Sequence, residues 1–129
     1  MMIPKDLRYH SEHEWIRREG ESAVLGITHY AQDSLGDVVY LELPKPDDSV
    51  SAGQEIGEVE STKTASPIYS PVSGTVTEVN DDLTDQPELV NQDPYGKGWI
   101  VKIRLSNPSE VDQLMDSGQY EAYLKEQSD

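Results

Sequence analysis

The chain has no cysteine among its 129 residues. No disulfide can stabilise the fold, and none is needed, because a chain of this length can bury a hydrophobic core without one. No apolar run approaches the roughly 20 residues that a bilayer-spanning helix requires. Residues 1–6 have neither the apolar stretch of a signal peptide nor the Arg-rich character of a transit peptide. We therefore expect a cytoplasmic protein, most simply from a prokaryote.

Basic residues are also scarce. Ten Lys and Arg side chains stand against 25 Asp and Glu, which gives a formal net charge of -15. Nucleic acids and anionic membranes attract positive surfaces, so the composition argues against both as partners. The excess of acid favours solubility or electrostatic steering towards partners with basic docking surfaces.

Short apolar runs separated by Gly, Pro, Asn and Asp predict a small all-β sandwich or barrel. We expect one domain over residues 1–129, with a β body over about 7–105. The predicted strands are 14–18, 22–28, 38–43, 55–60, 68–69, 75–80 and 99–105. One short helix is expected over 28–35, with Thr28 as its cap and Gly36 at its end. Residues 44–48 and 80–85 are predicted to be solvated loops.

Residues 107–126 change character and predict two short helices. The first begins with what looks like a capping box with proline at the first helical position, Asn107-Pro108-Ser109-Glu110. Helices this short are marginal alone, so we expect both to pack on the β body. Their apolar side chains are more typical of a buried face than of a ligand site: Val111, Leu114, Met115, Tyr120, Tyr123 and Leu124.

Lys63 lies in the most informative segment. The strand-like residues on both sides predict that residues 62–64 form the tip of a tight hairpin, which would expose a flexible amine to solvent. An exposed lysine is usually only a solubilising charge. The residues around it form a motif that is more specific than an exposed lysine alone: Glu60-Ser61-Thr62-Lys63-Thr64.

This motif resembles the attachment site of lipoyl and biotinyl domains, and most closely that of the glycine cleavage system H proteins. The flanking threonines differ from the methionines of biotinyl domains. Four further blocks resemble the same family in the same order, at residues 9–15, 26–37, 39–44 and 91–99. Together the blocks cover roughly residues 7–125, so the resemblance is specific.

The resemblance implies a flattened barrel-sandwich hybrid of the lipoyl-domain type. It also implies a non-catalytic carrier with lipoic acid in amide linkage on Lys63 and residues 60–64 as the recognition turn. The expected partners are glycine decarboxylase, aminomethyltransferase, dihydrolipoamide dehydrogenase, and a lipoate ligase or lipoyl transferase. The chain, expected to be a monomer, would carry the aminomethyl group of glycine into one-carbon metabolism.

In this family the loaded arm can fold back into a surface cleft, and Glu14 matches a glutamate of that cleft. We expect Glu14 to pair with the aminomethyl ammonium; the alternative is an ordinary exposed strand carboxylate. Glu12 and Pro67 depart from the family pattern, where a serine and an aspartate can occur.

Other functions remain open at this point. The chain could be an H-like module that only relays lipoyl groups or binds partners, or a small hydrolase using His13 and Glu14. A metal site at His10 and His13 has the wrong geometry, because residues three apart on a strand point to opposite faces. We rank the carrier first.

Overall fold

A computed structural model describes residues 1–128, and this part of the chain contains nine strands and five helices. The strands are Arg8–Tyr9 (β1), Glu14–Glu19 (β2), Ser22–Ile27 (β3), Val38–Glu42 (β4), Ser49–Val50 (β5), Glu55–Ser61 (β6), Ala65–Tyr69 (β7), Gly74–Val79 (β8) and Val101–Leu105 (β9). The helices are His29–Leu35 (α1), Asp82–Asp85 (α2), Leu89–Gln92 (α3), Ser109–Asp112 (α4) and Ser117–Ser128 (α5). None of these helices is long and apolar enough to span a membrane.

The strands form two antiparallel sheets. One has the order β1-β2-β3-β9-β8-β5, and the other has the order β4-β6-β7. The predicted mainly β sandwich is therefore confirmed. The smaller sheet carries the β6–β7 hairpin, and the larger one carries the β1–β2 turn that faces it across the site described below.

The core follows from strand alternation. Along β9, Val101, Ile103 and Leu105 are buried, while the intervening basic residues lie towards solvent. Buried side chains from both sheets meet in one main cluster. A second cluster forms around Trp15 and Tyr9, and helix α5 closes it through Tyr120 and Leu124. Tyr120 stacks on Tyr9 with ring centroids 4.6 Å apart, so the tail packs on the β body as predicted.

Helix α1 has the ends that the sequence predicts. The Thr28 hydroxyl accepts a hydrogen bond from the Ala31 N–H at 3.2 Å. Gly36 ends the helix with a φ of 79°, a left-handed conformation that favours glycine. Its N–H donates to the Gln32 carbonyl. These two caps fix where α1 begins and ends.

Some local predictions were incomplete. Residues 80–85 are not simply a loop, because they contain α2, which is held by the buried Leu83. The side chain of Asn80 is also fixed, donating to the carbonyls of Lys97 and Trp99 at 2.9 and 2.7 Å. Strands β1 and β5 have two residues each, and together with α3 they give too little periodicity to be predicted.

The predicted capping box at residues 107–110 is wrong. Pro108 occupies the cap position rather than the first helical position, and no side chain caps α4. The Glu110 carboxylate instead accepts hydrogen bonds from the N–H and hydroxyl of Ser73, at 2.8 and 3.0 Å. A tertiary partner therefore takes the carboxylate that a capping box would have used locally.

Candidate functional site

Lys63 lies at the tip of the β6–β7 hairpin, as predicted. The strands pair up to Glu60 and Ala65, and the tip residues 62–64 are exposed. Ser61 holds the tip: its hydroxyl oxygen accepts from the N–H groups of Lys63 and Thr64 at 3.2 and 3.1 Å. Serine is suited to such turns because its side chain can accept from the backbone just after it. The hairpin is thus set by Ser61 and leaves the lysine amine free of any role in the turn.

Helix α1 supports the hairpin from one side. The N–H of Thr62 donates to the carbonyl of Asp37 at 3.1 Å, which ties the tip to the residue after the helix end. A Cβ atom added at Gly36 would lie 3.4 Å from Cε of Lys63. The lysine stem therefore passes within van der Waals contact of the residue that ends the helix. In the described chain Lys63 forms no ion pair.

A cleft of about 300 Å³ opens beside the hairpin, between α1, the turn before β2 and the start of β7. Its apolar walls would suit an aliphatic chain, and its carboxylates lie at the side formed by the turn. The apolar lining comes from Ile27, Ala31, Leu35, Val59, Ala65 and Pro67. The ionisable lining comes from Glu12, His13, Glu14 and Tyr30.

Glu14 is the buried charge of this cleft, with a relative exposure of 1%. One carboxylate oxygen lies 2.7 Å from Nδ1 of His10, and the other accepts from the backbone N–H of Tyr69 at 3.1 Å. Burial raises the pKa of Glu14, and these two hydrogen bonds partly offset the rise. The alternative that Glu14 is an exposed strand carboxylate is overturned.

His13 forms a wall of the cleft and is not a partner of Glu14. Its Nδ1 lies 2.8 Å from the hydroxyl of Tyr120, which lies 2.8 Å from the hydroxyl of Thr28. Burial lowers the pKa of His13, so its neutral form is favoured. Because His13 and Glu14 each bond to a different side chain, they do not form the paired base and acid that the hydrolase hypothesis needs.

The two positions that depart from the family pattern also line the cleft. Glu12 is exposed and brings a second carboxylate to its polar side. Pro67 lies in β7, opposite Glu58, and presents an apolar ring without an N–H donor.

Sequence reasoning did not find the contact between His10 and Glu14. Their four-residue separation around a tight turn was the signal, since continuing the β1–β2 register places them opposite each other.

We predict that Glu14→Gln stabilises the chain at neutral pH and loses this advantage in acid. Because burial raises the pKa of Glu14 above its ordinary value near 4.5, the folded chain holds this proton more tightly than the unfolded chain. Its contribution to stability is complete below that ordinary value and is lost as pH rises through the folded-state pKa. A neutral amide avoids this loss. Melting curves across that window should show a higher Tm for the variant than for wild type at neutral pH and equal Tm values in acid. A constant difference at all pH values would contradict the argument.

A hairpin that exposes one lysine beside a cleft, on a sandwich of two small sheets, defines a swinging-arm carrier domain of the lipoyl type. Residues 7–127 match the family described as glycine cleavage H-protein. The chain belongs to this family.

Individual relatives agree. The chain is 51% identical over 128 residues to a glycine cleavage system H protein of Carboxydothermus hydrogenoformans, covering 99% of this chain and 98% of the relative. It is 52% identical over 126 residues to that of Bacillus subtilis, covering 98% and 99%. The crystal structure of a glycine cleavage system H protein from Mycobacterium marinum matches with a TM-score of 0.84 at 40% identity, covering 92% of this chain and 95% of that one.

Members of this family carry a covalently attached lipoate on a lysine and are not catalysts. The function predicted from the sequence, a lipoyl-carrying shuttle of the glycine cleavage system, is confirmed by this membership.

Proposed function

We propose that Lys63 is the lysine that carries lipoate and that the adjoining cleft is the resting place of the loaded arm. The main observation that supports this assignment is the position of Lys63 at an exposed tip, directly beside a cleft with a buried carboxylate. When bound, the lipoyl group supplies a disulfide that accepts the aminomethyl group left by glycine decarboxylation. The protein contributes binding, orientation and delivery.

The tip suits covalent loading. Its backbone is fixed by Ser61 and by the bond from Thr62 to Asp37, so a modifying enzyme meets a preformed turn. Amide formation removes the charge of the lysine, and the neutral arm can then lie along the apolar walls of the cleft. We propose that residues 60–64, here Glu60, Ser61, Thr62, Lys63 and Thr64, are the surface that a lipoate ligase or lipoyl transferase recognises.

The Glu14 carboxylate is suited to bind the aminomethyl group. An aminomethyl group on the arm is cationic, and a carboxylate in a site with little water can hold it by a charge-assisted hydrogen bond. The two donors to Glu14 use two of the roughly four lone-pair positions of a carboxylate, which leaves acceptor capacity for an ammonium. In this proposal the apolar side of the cleft reduces the contact of the labile group with bulk water.

Three enzymes are proposed to act on the arm in turn. Glycine decarboxylase loads the arm, and aminomethyltransferase passes the one-carbon unit to tetrahydrofolate and releases the amino group as ammonia. Dihydrolipoamide dehydrogenase reoxidises the dithiol that this transfer leaves on the arm. Tethering raises the concentration of the arm at whichever partner is docked, and the net charge of -15 favours partners with basic docking surfaces. We propose that the chain works as a monomer in the cytoplasm, where the arm can visit each enzyme.

A reconstituted glycine cleavage reaction separates this shuttle from a module that only relays lipoyl groups. Lipoylated protein is mixed with the three partner enzymes, glycine and tetrahydrofolate. We expect glycine-dependent transfer of the one-carbon unit to tetrahydrofolate. A lipoylated chain that supports no transfer would be a relay or interaction module instead.

We predict that Glu14→Gln leaves lipoylation intact but shortens the lifetime of the aminomethyl-loaded form by about tenfold, the factor that ~1.4 kcal/mol of lost charge-assisted bonding produces. Wild type and variant are loaded with glycine and decarboxylase and isolated without transferase. Formaldehyde and ammonia release is then followed. Glu42→Gln is a matched control, because Glu42 is exposed on β4 and does not line the cleft. Equal release rates in wild type and Glu14→Gln would remove Glu14 from the resting site.

A further inference from the structure

The Glu14 carboxylate has one side-chain donor, His10, and nothing in the carrier function described so far assigns this residue a role. His10 Nδ1 lies 2.7 Å from Glu14, whose relative side-chain exposure is 1%, against 21% for His10. Burying a carboxylate costs free energy unless donors replace the lost water. Of the two donors to Glu14, the backbone N–H of Tyr69 is fixed by the chain. The imidazole of His10 is therefore the donor that a substitution can remove.

The turn between β1 and β2 brings the two side chains together. The register pairs Tyr9 with Trp15, and the His10 N–H donates to the Glu14 carbonyl at 2.9 Å, so the pairing continues to these two residues. Directly opposed residues on an antiparallel pair place their side chains on the same face. The turn is closed by a bond from the His13 N–H to the His10 carbonyl, and His13 has a φ of 74°. The contact between imidazole and carboxylate is thus built into the backbone.

We propose that His10 is a positioning residue for the resting arm, which keeps the Glu14 carboxylate ionised and aimed into the cleft. This inference rests on the proposed function of Glu14. Without the imidazole, Glu14 would retain one hydrogen bond in a buried site and would take up a proton more readily. A neutral carboxyl cannot pair with the ammonium of the cargo, so the loaded arm would leave the cleft more often.

The test compares His10→Ala, which removes the donor, with His10→Asn, whose amide N–H can take the place of Nδ1–H. In the release experiment described above, His10→Ala should lose its cargo about fivefold faster than wild type, the factor that ~1 kcal/mol produces. His10→Asn should stay close to wild type. Because His10 acts through Glu14, the double variant His10→Ala/Glu14→Gln should release no faster than Glu14→Gln alone.

A second measurement needs no lipoate. The side-chain carboxyl carbon of Glu14 is followed by NMR as pH is varied in the unmodified chain. The midpoint of its titration should move to higher pH in His10→Ala and return towards wild type in His10→Asn. If His10 only supported the fold, the titration midpoint of Glu14 would not move in a His10→Ala variant that remains folded.

The outcomes separate the two proposals. If Glu14→Gln releases quickly but His10→Ala behaves as wild type, only the assignment of His10 is overturned. An unmoved Glu14 midpoint in His10→Ala overturns it as well. If Glu14→Gln itself releases at the wild-type rate, the resting site is wrong and the role of His10 falls with it.

Discussion

Lys63→Arg should abolish lipoylation completely and with it every step of glycine cleavage. Arginine keeps the positive charge, but its guanidinium stays protonated at all accessible pH values and cannot form the amide. The fold should not change, because the hairpin tip is held by Ser61 and by the backbone bond from Thr62 to Asp37, neither of which uses the lysine side chain. Exposed substitutions of this kind usually alter stability by no more than ~0.5 kcal/mol. Intact mass after incubation with lipoate ligase and lipoate is the measurement: wild type gains one lipoyl group and the variant gains none.

The matched control is Lys45→Arg, the same exchange at an exposed loop lysine. It should be lipoylated as wild type and should support the reconstituted reaction. The chain has five other lysines, Lys5, Lys45, Lys97, Lys102 and Lys125. A lipoyl mass that persists in Lys63→Arg would place the attachment on one of them or on the N-terminal amine and refute the assignment.

The hairpin and helix α1 could be predicted from the sequence because their determinants are local. Ser61 accepts from the two residues that follow it, and Thr28 caps α1 from the position directly before it. Strand alternation in β9 likewise needs only neighbouring residues. Such features need no knowledge of the rest of the fold.

The cleft could be predicted only by resemblance, because tertiary approach builds it. Glu14 becomes buried where the β1–β2 turn meets β7, and its second oxygen is bonded by Tyr69, 55 residues further along the chain. The same reason explains the wrong capping box. Glu110 fits the local pattern, but Ser73, from a distant strand connection, offers it two donors.

Gly74 is needed for a different physical reason from the one its sequence position suggests. A glycine that opens a strand, as Gly74 opens β8, suggests a backbone conformation that a side chain would strain. Gly74 is not among the glycines with positive φ in the described chain, so conformation is not the cause. The cause is a close approach: a Cβ atom here would lie 2.0 Å from the carbonyl oxygen of Arg104 and 2.8 Å from Cγ2 of Ile103.

We therefore expect Gly74→Val to be the most destabilising single substitution proposed here. Gly74 opens β8, pairing with Leu105 on β9 and Val50 on β5. A side chain cannot be accommodated unless one of these pairings separates, because the obstructing atom belongs to the backbone. Overpacking of a well-ordered site costs typically 1–3 kcal/mol, and the loss of strand pairing should place Gly74→Val at roughly 3 kcal/mol or more. In a domain of this size that lowers Tm by about 10 °C.

Gly118→Ala and Gly74→Ala form a matched pair for this argument. At Gly118, near the start of α5, an added Cβ would meet only a carboxylate oxygen of Asp116 at 3.6 Å, an ordinary contact. The methyl group should be neutral or slightly stabilising there, since alanine favours helix over glycine by up to ~1 kcal/mol. The same methyl group at Gly74 should already lower Tm, and valine should lower it further.

Lipoylation of the Gly74 variants should fall only at temperatures where the domain unfolds, because the Lys63 hairpin belongs to the other sheet. A Gly74→Val chain that melts with wild type would show that β8 and β9 can separate at this point without cost, and the glycine would then be incidental to the fold.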